Sequence, residues 1–114
     1  MRTNYTDIIL WSDEVILIVN KPPGLLTLPD GYDPDLAHLT DILEPSYGPL
    51  WIVHRLDKET SGVLVLARNA DAHRRLNTQF ETRQIAKTYH AILVGNPEWD
   101  ENEVRLALLP DGDR

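Results

Sequence analysis

Residues 54–62 read His-Arg-Leu-Asp-Lys-Glu-Thr-Ser-Gly. An imidazole, a guanidinium and a carboxylate, those of His54, Arg55 and Asp57, stand within four positions. A guanidinium beside a carboxylate favours its ionised form. An ionised, positioned carboxylate is what nucleophilic catalysis by aspartate requires. The same side chains also suit an ordinary surface salt bridge, Arg55 or Lys58 with Asp57 or Glu59, worth roughly 0–1 kcal/mol. The flanking sequence weighs against that plain reading. Apolar Trp51-Ile52-Val53 precedes the charges and apolar Val63–Ala67 follows them. Charge so close to a core is costly when unpaired.

Other chemistries have less behind them. His38, His54, His73 and His90 fall in no HExxH or HxH spacing, so solvent-facing or hydrogen-bonded histidines are expected rather than a metal site. The phosphate-binding patterns GxxxxGK[ST] and GxGxxG are missing, as is the GxSxG of a serine nucleophile. Thr60 and Ser61 before Gly62 read as turn residues that hydrogen-bond the local backbone. The chain has no cysteine, which excludes disulfides, thiolate zinc sites and thiol nucleophiles and fits the cytoplasm.

The elements that must position Asp57 follow from apolar patterning. Two apolar runs flank Ser12-Asp13-Glu14, a hairpin signal. Val15–Val19 is continuously apolar and β-branched, which predicts a strand buried on both faces. Lys21-Pro22-Pro23-Gly24 ends it. Residues 25–34 form a loop with turn signals. Leu36, Leu39 and Leu43 recur at helical spacing, predicting a short helix over 35–43 that Pro45 stops. Trp51–His54 is a strand end, and Val63–Ala67 is a strand started by Gly62. Asn69 is placed to cap a helix reaching about Thr82, with Asp71 in its first turn and Ala72, Leu76 and Phe80 as its core stripe. Lys87–Val94 alternates as a further strand, and Glu103–Leu109 reads as a last one. The order β-β-(α)-β-α-β-β predicts an α+β fold, a mixed and mainly antiparallel sheet with helices packed on it.

At 114 residues the chain is at most one domain of ordinary size. No apolar run is long enough to span a bilayer, and the first ten residues do not read as a secretory signal. The net charge of −7 argues against a nucleic-acid partner, but it is unevenly spread. Residues 54–90 carry seven Lys/Arg against four Asp/Glu, and the remainder carries −10. Leu106–Arg114 begins a strand and a turn, so the chain is expected to be a fragment.

His54–Gly62 resembles the signature of the RluA-type pseudouridine synthases. Ile16–Leu26, Ile-Leu-Ile-Val-Asn-Lys-Pro-Pro-Gly-Leu-Leu, is similar to that family's first motif, a strand into an Asn-Lys-Pro turn. Leu76–Tyr89, with Gln79-Phe80, Arg83 and Lys87-Thr88-Tyr89, is similar to its Lys-x-Tyr region. The resemblance covers nearly the whole chain, in order. It implies isomerisation of uridine to pseudouridine in ribosomal or transfer RNA, without metal or cofactor. It implies Asp57 as the catalytic carboxylate, attacking the target nucleoside or assisting glycosidic cleavage. Arg55 is implied to pair with Asp57 or to fill the place of a flipped base, and Tyr89 to lie against the uracil ring and assist proton removal at C5. A uridine in a stem must leave its stack to be reached. For Tyr89, a core tyrosine of a half-buried strand is the competing reading. For Arg74, Arg75, Arg83 and Lys87 it is solvated surface charge.

The resemblance further implies that residues 1–114 are the N-terminal portion of the catalytic domain. The family's optional S4-type RNA-binding domain and a later basic motif both lie outside the sequence. Two rival functions stand beside the enzyme reading: an inactive fragment or RNA-binding module of the same fold, and a small hydrolase using Asp57. A glycosidase would need a second carboxylate in the same site.

Overall fold

A computed structural model describes residues 6–29 and 35–106. Its elements are a 3-10 turn at Thr6–Ile8, β1 (Ile9–Ser12), β2 (Ile16–Lys21), α1 (Leu39–Tyr47), β3 (Trp51–Ile52), β4 (Gly62–Ala67) and α2 (Ala70–Glu81). The four strands form one antiparallel sheet in the order β1-β2-β4-β3, so the architecture is α+β as the sequence predicts.

The hairpin between β1 and β2 turns on Asp13. Its carboxylate accepts the amides of Val15 and Ile16, both at 2.8 Å, and the Trp11 indole N–H at 3.0 Å. Those donors hold its pKa below the ordinary carboxylate value, the Ile16 amide most strongly. Arg68, just past β4, fastens the same corner. Its guanidinium donates to the Asp13 carbonyl at 2.7 Å and to the Tyr47 carbonyl at 2.8 Å, linking the hairpin to the end of α1.

β2 and β4 are the centre of the sheet. Leu17 opposes Leu66 and Val19 opposes Leu64, and all four are fully buried. With Leu39 and Leu43 of α1, and with Leu25, Leu50 and Leu56, they form a single core on one sheet face. Contrary to the expected strand buried on both faces, β2 alternates: Leu17, Val19 and Lys21 are buried, whereas Ile16 and Ile18 are only partly so. The second face is incompletely covered. Ile18, Val63 and Val65 line a cavity on that side, with Phe80 of α2 as a further wall.

Both helices depart from or confirm their sequence signals for local reasons. α2 starts where predicted, with the Asn69 side chain accepting the Ala72 amide at 2.8 Å. α1 begins at Leu39 rather than at residue 35, because the Leu39 amide is already bonded to the Leu26 carbonyl at 2.8 Å. It also runs through Pro45 instead of stopping there. One ladder bond is forfeited at the proline, and the Gly48 amide closes the last turn on the Glu44 carbonyl at 2.8 Å.

The predicted strand over Lys87–Val94 does not form, and with it falls the expected strand–helix–strand unit. Residues 87–94 are irregular and exposed, Ile92 and Val94 completely so. Alternating apolar residues specify a strand only where a neighbouring strand takes up their amides and one face. Among the described residues no strand pairs with them. Of the predicted last strand, residues 103–106 are irregular, and 107–109 lie outside the described residues.

Candidate active site

The two conspicuous motifs meet because of strand register. Lys21, the last residue of β2, pairs directly with Gly62, the first residue of β4. The Lys-Pro-Pro-Gly turn that leaves β2 and the loop that delivers β4 therefore lie side by side. That loop, residues 53–61, contains Asp57.

Lys21 is the fastening. It is fully buried, and its Nζ donates to the carbonyls of Leu25 at 2.6 Å, Lys58 at 3.0 Å and Pro22 at 3.1 Å. Three acceptors use up the three protons of an ammonium. Burial pushes its pKa down from the ordinary lysine value, while the nearby carboxylates of Glu59 and Asp57 oppose that shift. Gly24 shares the Lys58 carbonyl, donating to it at 2.7 Å. Its φ of +89° is a conformation that glycine adopts without cost.

Thr27 fastens the residue before Asp57. Its buried hydroxyl donates to the Leu56 carbonyl at 3.0 Å and accepts the Leu56 amide at 3.3 Å. The Asp57 carbonyl in turn accepts the Thr60 amide at 3.0 Å, closing a turn ahead of β4. Gly62, with φ of +149°, lets the chain enter the strand. The backbone is thus held at Leu56, Asp57 and Lys58.

The Asp57 side chain is not held. It is exposed, and among the described residues it makes no ion pair or hydrogen bond. The Arg55–Asp57 pair expected as one alternative is absent among the described residues. Arg55 is likewise exposed and without an anionic partner there. The plain surface salt bridge finds no support either, since Lys58 and Glu59 are in no ion pair among those residues. On α2 the charges do pair: Arg74 at 2.8 Å and Arg75 at 3.0 Å both reach Asp71.

Beside this loop lies a cavity of about 740 Å³. Glu59–Gly62 form one wall, and Lys87, Tyr89 and His90 contribute to another. Tyr89 is 64% exposed, so the competing reading of a core tyrosine fails. At the back, His54 stacks on Phe80 with ring centroids 4.5 Å apart, and the Lys87 ammonium sits 5.5 Å from the Phe80 centroid. The His54 Nε2 accepts the Val65 amide at 3.1 Å. Burial, and secondarily the Lys87 charge, push the His54 pKa below its ordinary 6.5. No cluster of three or more metal-ligating side chains occurs among the described residues.

Sequence reasoning singled out Asp57, Arg55 and Tyr89, gave no site role to Lys21 or Thr27, and placed Phe80 in the core stripe of α2 rather than in the cavity wall. The signal for Lys21 was only partial: a lysine between an apolar strand and Pro-Pro-Gly lies close to the core, but the pattern does not say which carbonyls it meets.

Comparison with known proteins gives the chain a family. Residues 15–111 match the family described as RNA pseudouridylate synthase. The dual-specificity RNA pseudouridine synthase RluA of Vibrio parahaemolyticus is 40% identical over 107 residues, covering 94% of this chain and 42% of the relative. RluA of Escherichia coli K12 is 38% identical over 104 residues, covering 91% of this chain and 48% of the relative. Among solved structures, human RNA pseudouridylate synthase domain containing 4 superposes with a TM-score of 0.56 at 38% identity, over 70% of this chain and 31% of that one. The chain spans less than half the length of these relatives. It belongs to the RNA pseudouridylate synthase family, and within it to the RluA type.

Proposed function

We propose that this chain serves the isomerisation of uridine to pseudouridine in RNA, with Asp57 as the working carboxylate. The observation that carries the reading is a backbone fixed on both sides of an exposed carboxylate that has no partner among the described residues, beside a cavity lined by its loop neighbours Leu56 and Glu59 and by Tyr89. Fixing the backbone while leaving the carboxylate unpaired suits a nucleophile, which must be placed but not consumed by a neighbour. The relatives' names give RNA as the substrate. The proposed target is ribosomal or transfer RNA, and the proposed setting is the cytoplasm.

The chemistry conserves atoms. The bond from C1′ to N1 breaks, a bond from C1′ to C5 forms, the C5 proton leaves and N1 acquires one. No electrons are gained or lost, so the reaction needs no redox cofactor. Asp57 attacks the nucleoside or assists cleavage of its glycosidic bond. Tyr89 lies against the uracil face and assists removal of the C5 proton. Arg55 takes the place vacated by the flipped base. Lys58 is free of anionic partners among the described residues and contacts phosphates next to the target.

Incubation with RNA carrying tritium at C5 of uridine tests the reading, because forming the new carbon bond at C5 expels the hydrogen there. Release of tritium to water is the expected result. Retention of label across ribosomal and transfer RNA, with RNA still bound, leaves the chain a binding module. Liberation of free uracil makes it a hydrolase.

A further inference from the structure

β3 pairs with β4 only at Leu66 and Ala67. One residue further along β4, the edge amide of Val65 has no strand carbonyl to meet, and the His54 Nε2 accepts it at 3.1 Å instead. A side chain thus continues a ladder that its own backbone has left. We infer that His54 is a positioning residue, holding the leading arm of the Asp57 loop through the Val65 amide and the Phe80 ring, and doing so only as the neutral imidazole. The inference rests on the reading of Asp57 as the working carboxylate, and it adds a third fastening to those of Thr27 and Lys21.

The protonation requirement follows from hydrogen-bond chemistry. Nε2 can accept an N–H only while it carries a lone pair, which assigns the proton to Nδ1. In the imidazolium both nitrogens donate, so two N–H groups would confront each other. The surroundings favour the neutral form. The ring is stacked on Phe80 of α2. The segment after α2 brings Lys87, Tyr89 and His90 to the shared cavity, and the loop itself brings Glu59. Of these, the Lys87 cation opposes a second positive charge.

As pH falls through the range where His54 takes up a proton, the Val65 amide opens and residues 53–55 are released, while the fastenings at Leu56 and Lys58 persist. The folded form resists that proton more than the unfolded chain does. Stability is therefore complete above the ordinary histidine value of 6.5 and is lost as pH drops below it.

Amide spectra of the chain recorded from about pH 8 to about pH 5 test this without RNA. The Val65 amide should shift together with the His54 ring, and the Arg55 amide should follow. Two substitutions separate positioning from bulk. In His54→Gln, an amide oxygen can still accept from Val65 at every pH, so the titration of the Val65 amide should vanish and tritium release should become flat across the range. In His54→Phe, the stack on Phe80 survives without an acceptor, so turnover should fall about tenfold or more with KM unchanged. A Val65 amide indifferent to His54, or an acid limb that persists in His54→Gln, overturns the inference and leaves uridine isomerisation standing. Coupled titration in a chain that releases no tritium keeps the fastening and removes the function.

Discussion

Lys21 and Thr27 take up the carbonyls on either side of Asp57, at Lys58 and Leu56. Neither reaches the carboxylate. This division of labour sets what each substitution should do. Lys21→Met keeps the length and the apolar stem but strips three carbonyls of their donor. It should cost about 3 kcal/mol of stability, read as a lowered urea midpoint, because buried acceptors are left unsatisfied. An unchanged midpoint would mean that the fastening is dispensable. Asp57 was legible in the sequence because an aspartate between an apolar run and an apolar strand invites a chemical explanation. Lys21 was not, because a lysine is solvated by default. Only the pairing of Lys21 with Gly62 reveals where its ammonium goes.

Among elements, those specified by local signals were the legible ones. Asn69 marks the start of α2 by capping chemistry alone, and Gly62 marks the start of β4. Asn69→Ala should remove the bond to the Ala72 amide and destabilise the chain by about 1 kcal/mol, visible in denaturant unfolding with the m-value unchanged. Loss of less than about 0.3 kcal/mol would show that the cap is replaced by water or a neighbour. Elements fixed by distant partners were misjudged. The beginning of α1 depends on a bond from Leu39 to Leu26, across a loop. Its continuation past Pro45 is accompanied by burial of Leu39 and Leu43. Residues 87–94 have the alternation of a strand, yet alternation supplies only half of what a strand needs. The other half is a neighbour, which no described segment provides.

Across the whole molecule, the antiparallel register of β2 and β4 brings the Lys-Pro-Pro-Gly turn and the Asp57 loop to one end of the sheet. The Tyr89 segment completes the cavity wall there from beyond α2. Two of these stretches, far apart in sequence, meet through strand register, and the third reaches the cavity beside them, which explains why their order was readable as a pattern while their meeting was not. Of the seven Lys and Arg in residues 54–90, Lys87 lines the cavity, while Arg68 is engaged at the Asp13 corner and Arg74 and Arg75 pair with Asp71. The central claim is that Asp57 performs chemistry and does no structural work. Nuclease digestion and chromatography of RNA exposed to the chain and to Asp57→Asn tests it most directly. Pseudouridine should accumulate with the unaltered chain and be lost by at least about a hundredfold with Asp57→Asn. The stability of the variant should stay within about 0.5 kcal/mol of the unaltered chain, as expected of an exposed side chain with no partner among the described residues. Equal accumulation of pseudouridine from both proteins would contradict the account.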